Sequence, residues 1–316
     1  MRTHTLAVAL TVGSVAPAVA RARAEAATLD ADITPRFADA SLSTGVRLRY
    51  AERGDPAGPA VILLHGYSDS WFSYSRVLPL LPARLHVYAV DVRGHGGSDR
   101  PPSGYAMREM AADILAFMDA VGVRRATVVG HSMGSFIAQQ MAVVAPARVE
   151  RLVLVGTSTA PRTFVGFDDL RQAVEALRDP VDPAFAREFQ ESTVHQPIPA
   201  AFMERAIAES LTLPAYVWHG VMAGMLATGP VTELGAARVP TLILWGERDA
   251  FCSRAEQDAL LALVPHAELR VYPETGHALH WERPERFVQD LTGFMAADAV
   301  RRSPHPSPLA PRPSPP

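Results

Sequence analysis

Val128-Val129-Gly130-His131-Ser132-Met133-Gly134 joins an apolar, β-branched run to a stretch of helical periodicity that begins near Ser135. Gly-x-Ser-x-Gly at a strand-to-helix turn forces the serine into a strained, exposed conformation, and the flanking glycines leave room for close backbone approach. Ser132 is therefore the candidate nucleophile. Three fixed positions in five also arise by chance, and the bland alternative is a buried turn serine; the apolar strand in front argues for the nucleophile.

Working outward, short apolar runs alternate with amphipathic stretches. Strands are expected at Val46–Glu52, Ala60–His65, His86–Val92, Ala126–Gly130, Arg151–Gly156, Thr241–Trp245 and Glu268–Tyr272. Helices are expected at Met107–Val121, Ser135–Val144, Arg254–Leu263 and Pro284–Met295, where apolar residues recur every three or four positions. This alternation predicts an α/β fold with a mostly parallel, doubly wound sheet covered by helices on both faces. From Thr159 to Val239 the strand signal vanishes, and helical patterns near Asp168–Leu177, Pro183–Glu191, Pro199–Glu209 and Ala215–Leu226 suggest an inserted helical lid. The expected organisation is a first core segment over 36–158, the lid over 159–239 and a second core segment over 240–298.

A serine hydroxyl needs a hydrogen-bonded base, itself oriented by a carboxylate. In a parallel sheet, reactive groups gather at the carboxyl ends of the strands. One late strand ends in Trp245-Gly246-Glu247-Arg248-Asp249, with two carboxylates, and the next ends in Glu274-Thr275-Gly276-His277. Asp249 and His277 are the choices. Glu247 is the rival acid, expected to face solvent or brace its loop, and His280 is the rival base, already beside Trp281 at the start of the last helix.

The order Ser132, Asp249, His277, together with the turn around Ser132, resembles the α/β-hydrolase superfamily, in its lidded serine-esterase-like group. The resemblance covers about Val46 to Met295. It extends to Leu64-His65-Gly66-Tyr67 after an early strand and to Asp91-Val92-Arg93-Gly94-His95-Gly96-Gly97-Ser98-Asp99 after the next. It implies an oxyanion hole made by the backbone N–H groups of Tyr67 and Met133. His65 is expected to bond locally, and Asp91, Arg93 and His95 to brace a loop. Within the superfamily, haloalkane dehalogenases and epoxide hydrolases carry aspartate where this chain has Ser132, and His65-Gly66-Tyr67-Ser68 has fewer glycines than the His-Gly-Gly-Gly lipases.

Composition narrows the chemistry further. The 316 residues are 48% hydrophobic and 20% charged, enough to bury a large core. All 30 basic residues are arginine, which excludes Schiff-base, pyridoxal phosphate, P-loop and Ser-Lys chemistry. The net charge of −3, without a basic run interleaved with aromatics, argues against nucleic acid and anionic membrane as partners. Cys252 is the only cysteine, so no intrachain disulfide forms, and neither metal nor cofactor is expected. Residues 1–24 read as a secretory signal peptide, with an apolar run from Thr5 to about Ala20 and Ala-x-Ala spacings. Pro17 interrupts that run, which is short for a bilayer span, so no stable membrane insertion is expected. The protein is thus expected to be exported. Residues 303–316 hold seven prolines and read as an extended, disordered tail.

In the lid, Trp218, Met222 and Met225 recur at four- and three-residue spacing and are a candidate substrate-pocket stripe, although such stripes more often pack into a core. Without an arginine cluster, a neutral, moderately apolar ester or lactone is the expected small-molecule substrate. The expected function is a serine hydrolase acting through an acyl-enzyme. A carbon–carbon bond hydrolase or a cofactor-free haloperoxidase or perhydrolase can use the same three residues, and a receptor-like protein with little turnover is the alternative of another class.

Overall fold

The computed structural model describes residues 34–302, with side chains through residue 297. The leader over 1–24 and the proline-rich tail over 303–316 lie outside the described residues. Eight strands form one sheet: β1 (Arg36–Ser41), β2 (Arg47–Gly54), β3 (Ala60–Leu64), β4 (His86–Val90), β5 (Ala126–His131), β6 (Val149–Val155), β7 (Thr241–Gly246) and β8 (Glu268–Tyr272). Their spatial order is β1-β2-β4-β3-β5-β6-β7-β8. The first two ladders, β1 with β2 and β2 with β4, are antiparallel, and every later pair is parallel.

The central strands are buried on both faces, which is why they read as continuous apolar runs rather than as alternation. Ile62 and Leu64 of β3 join a core under helices α1 (Met107–Ala120) and α2 (Met133–Val144), whereas Val61 and Leu63 join a second core with Phe287 and Leu291 of α9 (Pro284–Arg302). β1 was not among the expected strands. It is an edge strand whose one buried residue is Ala40, so it carries almost no apolar signal.

Between β6 and β7 stand four helices: α3 (Phe167–Glu175), α4 (Pro183–Ser192), α5 (Ala200–Ser210) and α6 (Ala215–Ala227). Proline or aspartate begins several of them; Asp182 caps α4 by accepting from the Ala184 N–H at 2.8 Å, with Pro183 at the first helical position. Helix α7 (Arg254–Leu263) and the short α8 (Leu279–Glu282) are the remaining α-helices among the described residues. Among the described residues no helix is long and apolar enough to cross a membrane. Because β3 to β8 run parallel apart from the connections described, their carboxyl ends share one edge of the sheet, and the loops after β3, β5, β7 and β8 meet there beneath the lid.

Candidate active site

Helix α2 begins directly after Ser132, two residues earlier than the periodicity suggests, so Ser132 is its N-cap with φ 50° and ψ −118°. A non-glycine residue there costs about 1–3 kcal/mol and persists only when its surroundings over-determine it. They do so through backbone: the Ser132 N–H donates to Val155 O at 2.9 Å, and Ser135 donates to Ser132 O from both N–H (2.8 Å) and hydroxyl (2.6 Å). The flanking glycines are sterically required. A Cβ on Gly130 would stand 2.2 Å from Gly134 O, and one on Gly134 would stand 2.4 Å from Leu64 O.

His277 lies in the loop after β8 and Asp249 in the loop after β7. The imidazole Nδ1 sits 2.9 Å and 3.0 Å from the two oxygens of Asp249, and both side chains are buried. The carboxylate is fixed in turn, its Oδ1 accepting from the N–H groups of Phe251 (2.8 Å) and Cys252 (2.9 Å). With Nδ1–H donated to Asp249, Nε2 is left as the acceptor, the tautomer a general base toward Ser132 requires. Gly156, after β6, has φ 53°, and a Cβ there would come within 2.9 Å of His277 Nδ1. No sequence motif marked that glycine.

The rivals stand elsewhere. Glu247 is exposed and its carboxylate accepts from the Glu274 N–H at 3.4 Å. His280 is wholly buried, with Nε2 3.1 Å from the Ser73 hydroxyl. Burial holds its imidazole down to about 3, so it stays neutral. His65 bonds locally: Nδ1 lies 2.8 Å from Gly66 O, and Nε2 accepts from the Val92 N–H at 3.1 Å. Asp91 braces its loop by accepting from Trp71 N–H (2.6 Å) and Gly97 N–H (2.8 Å), and Arg93 makes a two-pronged ion pair with Asp113 at 2.6 and 2.7 Å.

Ser132 and His277 line one chamber of about 30 Å³, together with Gly66 and Tyr67. Among the described residues, the N–H groups of Tyr67 and Met133 donate to no protein acceptor. Met133 is the first residue of α2, where the helix dipole also favours negative charge.

The lid stripe divides. Met225 lines the chamber, but Trp218 and Met222 do not. Trp218 is fully buried against Tyr67, Phe185 and Phe189, with Tyr67 Oη donating to its carbonyl at 2.6 Å. Helix α6 buries Val217 and Val221 along the same side and leaves Tyr216 and Ala223 exposed on the other, so the four-and-three spacing marks its inward side, most of which packs into the core. The apolar wall is instead built from Phe164, Phe189 and Phe251, none of which carried a sequence signal beyond aromaticity.

Four polar residues of the chamber were also missed, Asp69, His131, Gln190 and Thr193. The Gln190 amide, from α4, donates to Asp69 Oδ1 at 2.9 Å and to Ser210 Oγ of α5 at 2.7 Å, tying the lid to the loop after β3. Burial raises the Asp69 carboxyl to about 6, against the hydrogen bonds from Gln190 and Ser73. As for metals, ligand atoms of Asp249, Cys252 and His277 lie within 4.8 Å of one another. Burial and the Asp249 carboxylate push the Cys252 thiol up, so it is a protonated neighbour of the pair rather than a thiolate ligand.

A family model described as alpha/beta hydrolase fold matches residues 59–284. Among solved structures, a putative aryl esterase from Burkholderia cenocepacia superposes with TM-score 0.76 at 27% identity, covering 84% of this chain and all of that one. A 2-hydroxy-6-oxononadienedioate/2-hydroxy-6-oxononatrienedioate hydrolase from Paraburkholderia xenovorans is 28% identical over 270 residues, covering 79% of this chain and 91% of its own. Epoxide hydrolase 3 of Mus musculus is 27% identical over 282 residues, covering 79% of this chain and 76% of its own.

Proposed function

Because this chain belongs to the α/β-hydrolase fold family, with relatives among esterases, epoxide hydrolases and carbon–carbon bond hydrolases, we propose that it is a serine hydrolase cleaving a carboxylic ester or lactone through an acyl-enzyme. The observation that carries this reading is the shared chamber. It holds Ser132, strained onto the tip of the turn, and His277, whose Nδ1 is 2.9 Å from the buried Asp249 carboxylate. In the proposed reaction Ser132 Oγ attacks the carbonyl carbon while His277 Nε2 takes its proton and Asp249 holds the imidazolium. The developing oxyanion is met by the N–H groups of Tyr67 and Met133, a type of contact worth about 3 kcal/mol each in other hydrolases. His277 then protonates the leaving alcohol, activates water, and the acyl-enzyme is hydrolysed.

Ester cleavage is favoured over the dioate chemistry of the Paraburkholderia relative because no arginine lines the chamber and its one carboxylate, Asp69, would repel an acidic substrate. Serine in place of aspartate at the turn argues against epoxide opening. Labelling with a fluorophosphonate probe, followed by p-nitrophenyl esters of increasing acyl length, tests the reading. Ser132→Ala should lose both labelling and nearly all hydrolysis, a loss of about a millionfold in a comparable protease; retention of more than a few per cent of activity refutes it. Export belongs to the same proposal, supported by the apolar run over residues 5–20. Protein recovered from its host should begin between about Arg21 and Ala27, and an intact Met1 in a cytoplasmic fraction would refute this.

A further inference from the structure

We propose that Asp69 and His131 form, beside Ser132, a subsite for a hydroxyl group one or two carbons from the scissile carbonyl, making 2- or 3-hydroxy acyl esters the substrate class. The inference rests on the hydrolase reading above. Both residues line the reaction chamber, Asp69 at 5% exposure and His131 at 2%, within walls that are otherwise largely aromatic and aliphatic. Neither ring nitrogen of His131 has a hydrogen-bond partner among the described residues. Its polar neighbours are the His277 backbone and the Asp69 carboxylate, whose Oδ2 lies 3.9 Å from Nδ1. That separation is too long for a direct bond and suits an oxygen bridging the two.

A hydroxyl matches the gap because it donates and accepts at once. Its O–H donates to Asp69 Oδ2, and its oxygen accepts from His131 Nδ1–H. The imidazole is neutral here, lowered by burial and by the neighbouring rings of His280 and His277, so it presents one N–H and no charge. A carboxylate or ketone in the same place would set lone pairs against the carboxylate of Asp69. Asp69 itself is held in position by Gln190 Nε2 at 2.9 Å and the Ser73 hydroxyl at 3.2 Å, which leaves lone pairs on its oxygens free.

Gly66 fixes where the hydroxyl belongs on the substrate. A Cβ there would stand 2.9 Å from His131 Nδ1 and 3.1 Å from Asp69 Oδ2, so only glycine leaves this gap open. Gly66 precedes Tyr67, the proposed oxyanion donor, and His131 precedes Ser132. A group bound between them is therefore within one or two carbons of the carbonyl under attack.

The test compares kcat/KM, by acid release at constant pH, for methyl 2-hydroxybutyrate, methyl 3-hydroxybutyrate and methyl butyrate. It uses the wild type, His131→Phe and Asp69→Asn, with fluorophosphonate labelling in parallel. Because a site built around a hydrogen-bonding substrate group rejects the analogue that lacks it, at least one hydroxy ester should exceed butyrate by about tenfold or more. That ratio should fall toward one in each variant; as an internal ratio it does not depend on how much of a variant folds, and either variant alone suffices. Labelled enzyme that favours neither hydroxy ester, or whose preference survives in the variants, overturns the subsite and leaves the hydrolase reading standing. Wild type that is neither labelled nor active on any of the three esters overturns both.

Discussion

A methyl group added at Gly156 would stand 2.9 Å from His277 Nδ1 and 3.0 Å from its carbonyl oxygen. Gly156→Ala should therefore push the imidazole away from Asp249 and Ser132 while leaving β6 intact. The expected outcome is a fall of at least tenfold in kcat/KM on an activated ester with an unchanged circular dichroism spectrum, since small misplacements of reacting groups are costly. Full activity would mean that the loop after β8 yields without consequence. His280→Gln separates packing from chemistry: the buried ring bonded to Ser73 is lost, so melting temperature should fall, yet kcat/KM per labelled serine should stay within about tenfold. Asp249→Asn and His277→Gln should each lose about four orders of magnitude, and adding Ser132→Ala to either should change little, because such residues act as a unit. At this scale the candidate site was partly legible. Ser132, Asp249 and His277 each follow the carboxyl end of a strand, a local signal. Gly156, Asp69 and Gln190 act through contacts between distant segments, and no spacing in one chain records those.

Helix α4 reaches the chamber through polar Gln190 as well as apolar Phe189, and α5 is tied to it through Ser210, which sets a test at the level of the element. Gln190 Nε2 bridges Asp69 in the loop after β3 and Ser210 at the end of α5. Gln190→Ala should leave the buried Asp69 carboxylate with one donor fewer. The expected cost is about 1–3 kcal/mol in denaturant unfolding, and loosening between lid and loop should appear as faster proteolysis of the 167–210 segment under native conditions. A variant as stable and protease-resistant as wild type would show that apolar packing alone seats the lid. Element existence was largely readable from the sequence because the central parallel strands carry apolar runs and the helices between β6 and β7 are punctuated by proline. Edge strand β1 escaped because an exposed strand of small residues has no period to read. The stripe on α6 lies along its buried side, so spacing alone marks the residues that face inward and not which of them meets the chamber: Trp218 packs behind Tyr67, and of the three Met225 reaches the chamber.

Four histidines spread across the molecule, His65, His95, His131 and His280, are buried in neutral form, and this sets its response to acid. His65 and His131 are held well below the usual imidazole range by burial, His95 is lowered to about 4 and His280 to about 3. In the unfolded chain all four titrate near 6.5. As pH falls through 6.5 the unfolded state takes up protons that the folded state refuses, so these groups withdraw stability on acidification. Asp69 and Asp91 act in the other sense. Their carboxyls are raised to about 6 by burial, against 3.8 unfolded, so between those values the folded state holds the extra protons and is favoured by acid. Near pH 5 four imidazoles outweigh two carboxyls, and unfolding takes up about two protons from these six groups. At about 1.4 kcal/mol per proton per pH unit, stability should decline by about 2–3 kcal/mol per unit around pH 5. The check is urea unfolding at pH 7, 6 and 5: the midpoint should fall from 7 to 6 and fall further, at least as steeply, from 6 to 5. Asp91→Asn, if it folds, should steepen the loss by removing a carboxyl that opposes it. A midpoint that stays level from 7 to 5 would mean that the histidines accept protons inside the folded protein, and the neutral His131 on which the hydroxyl subsite depends would then be in the wrong charge state.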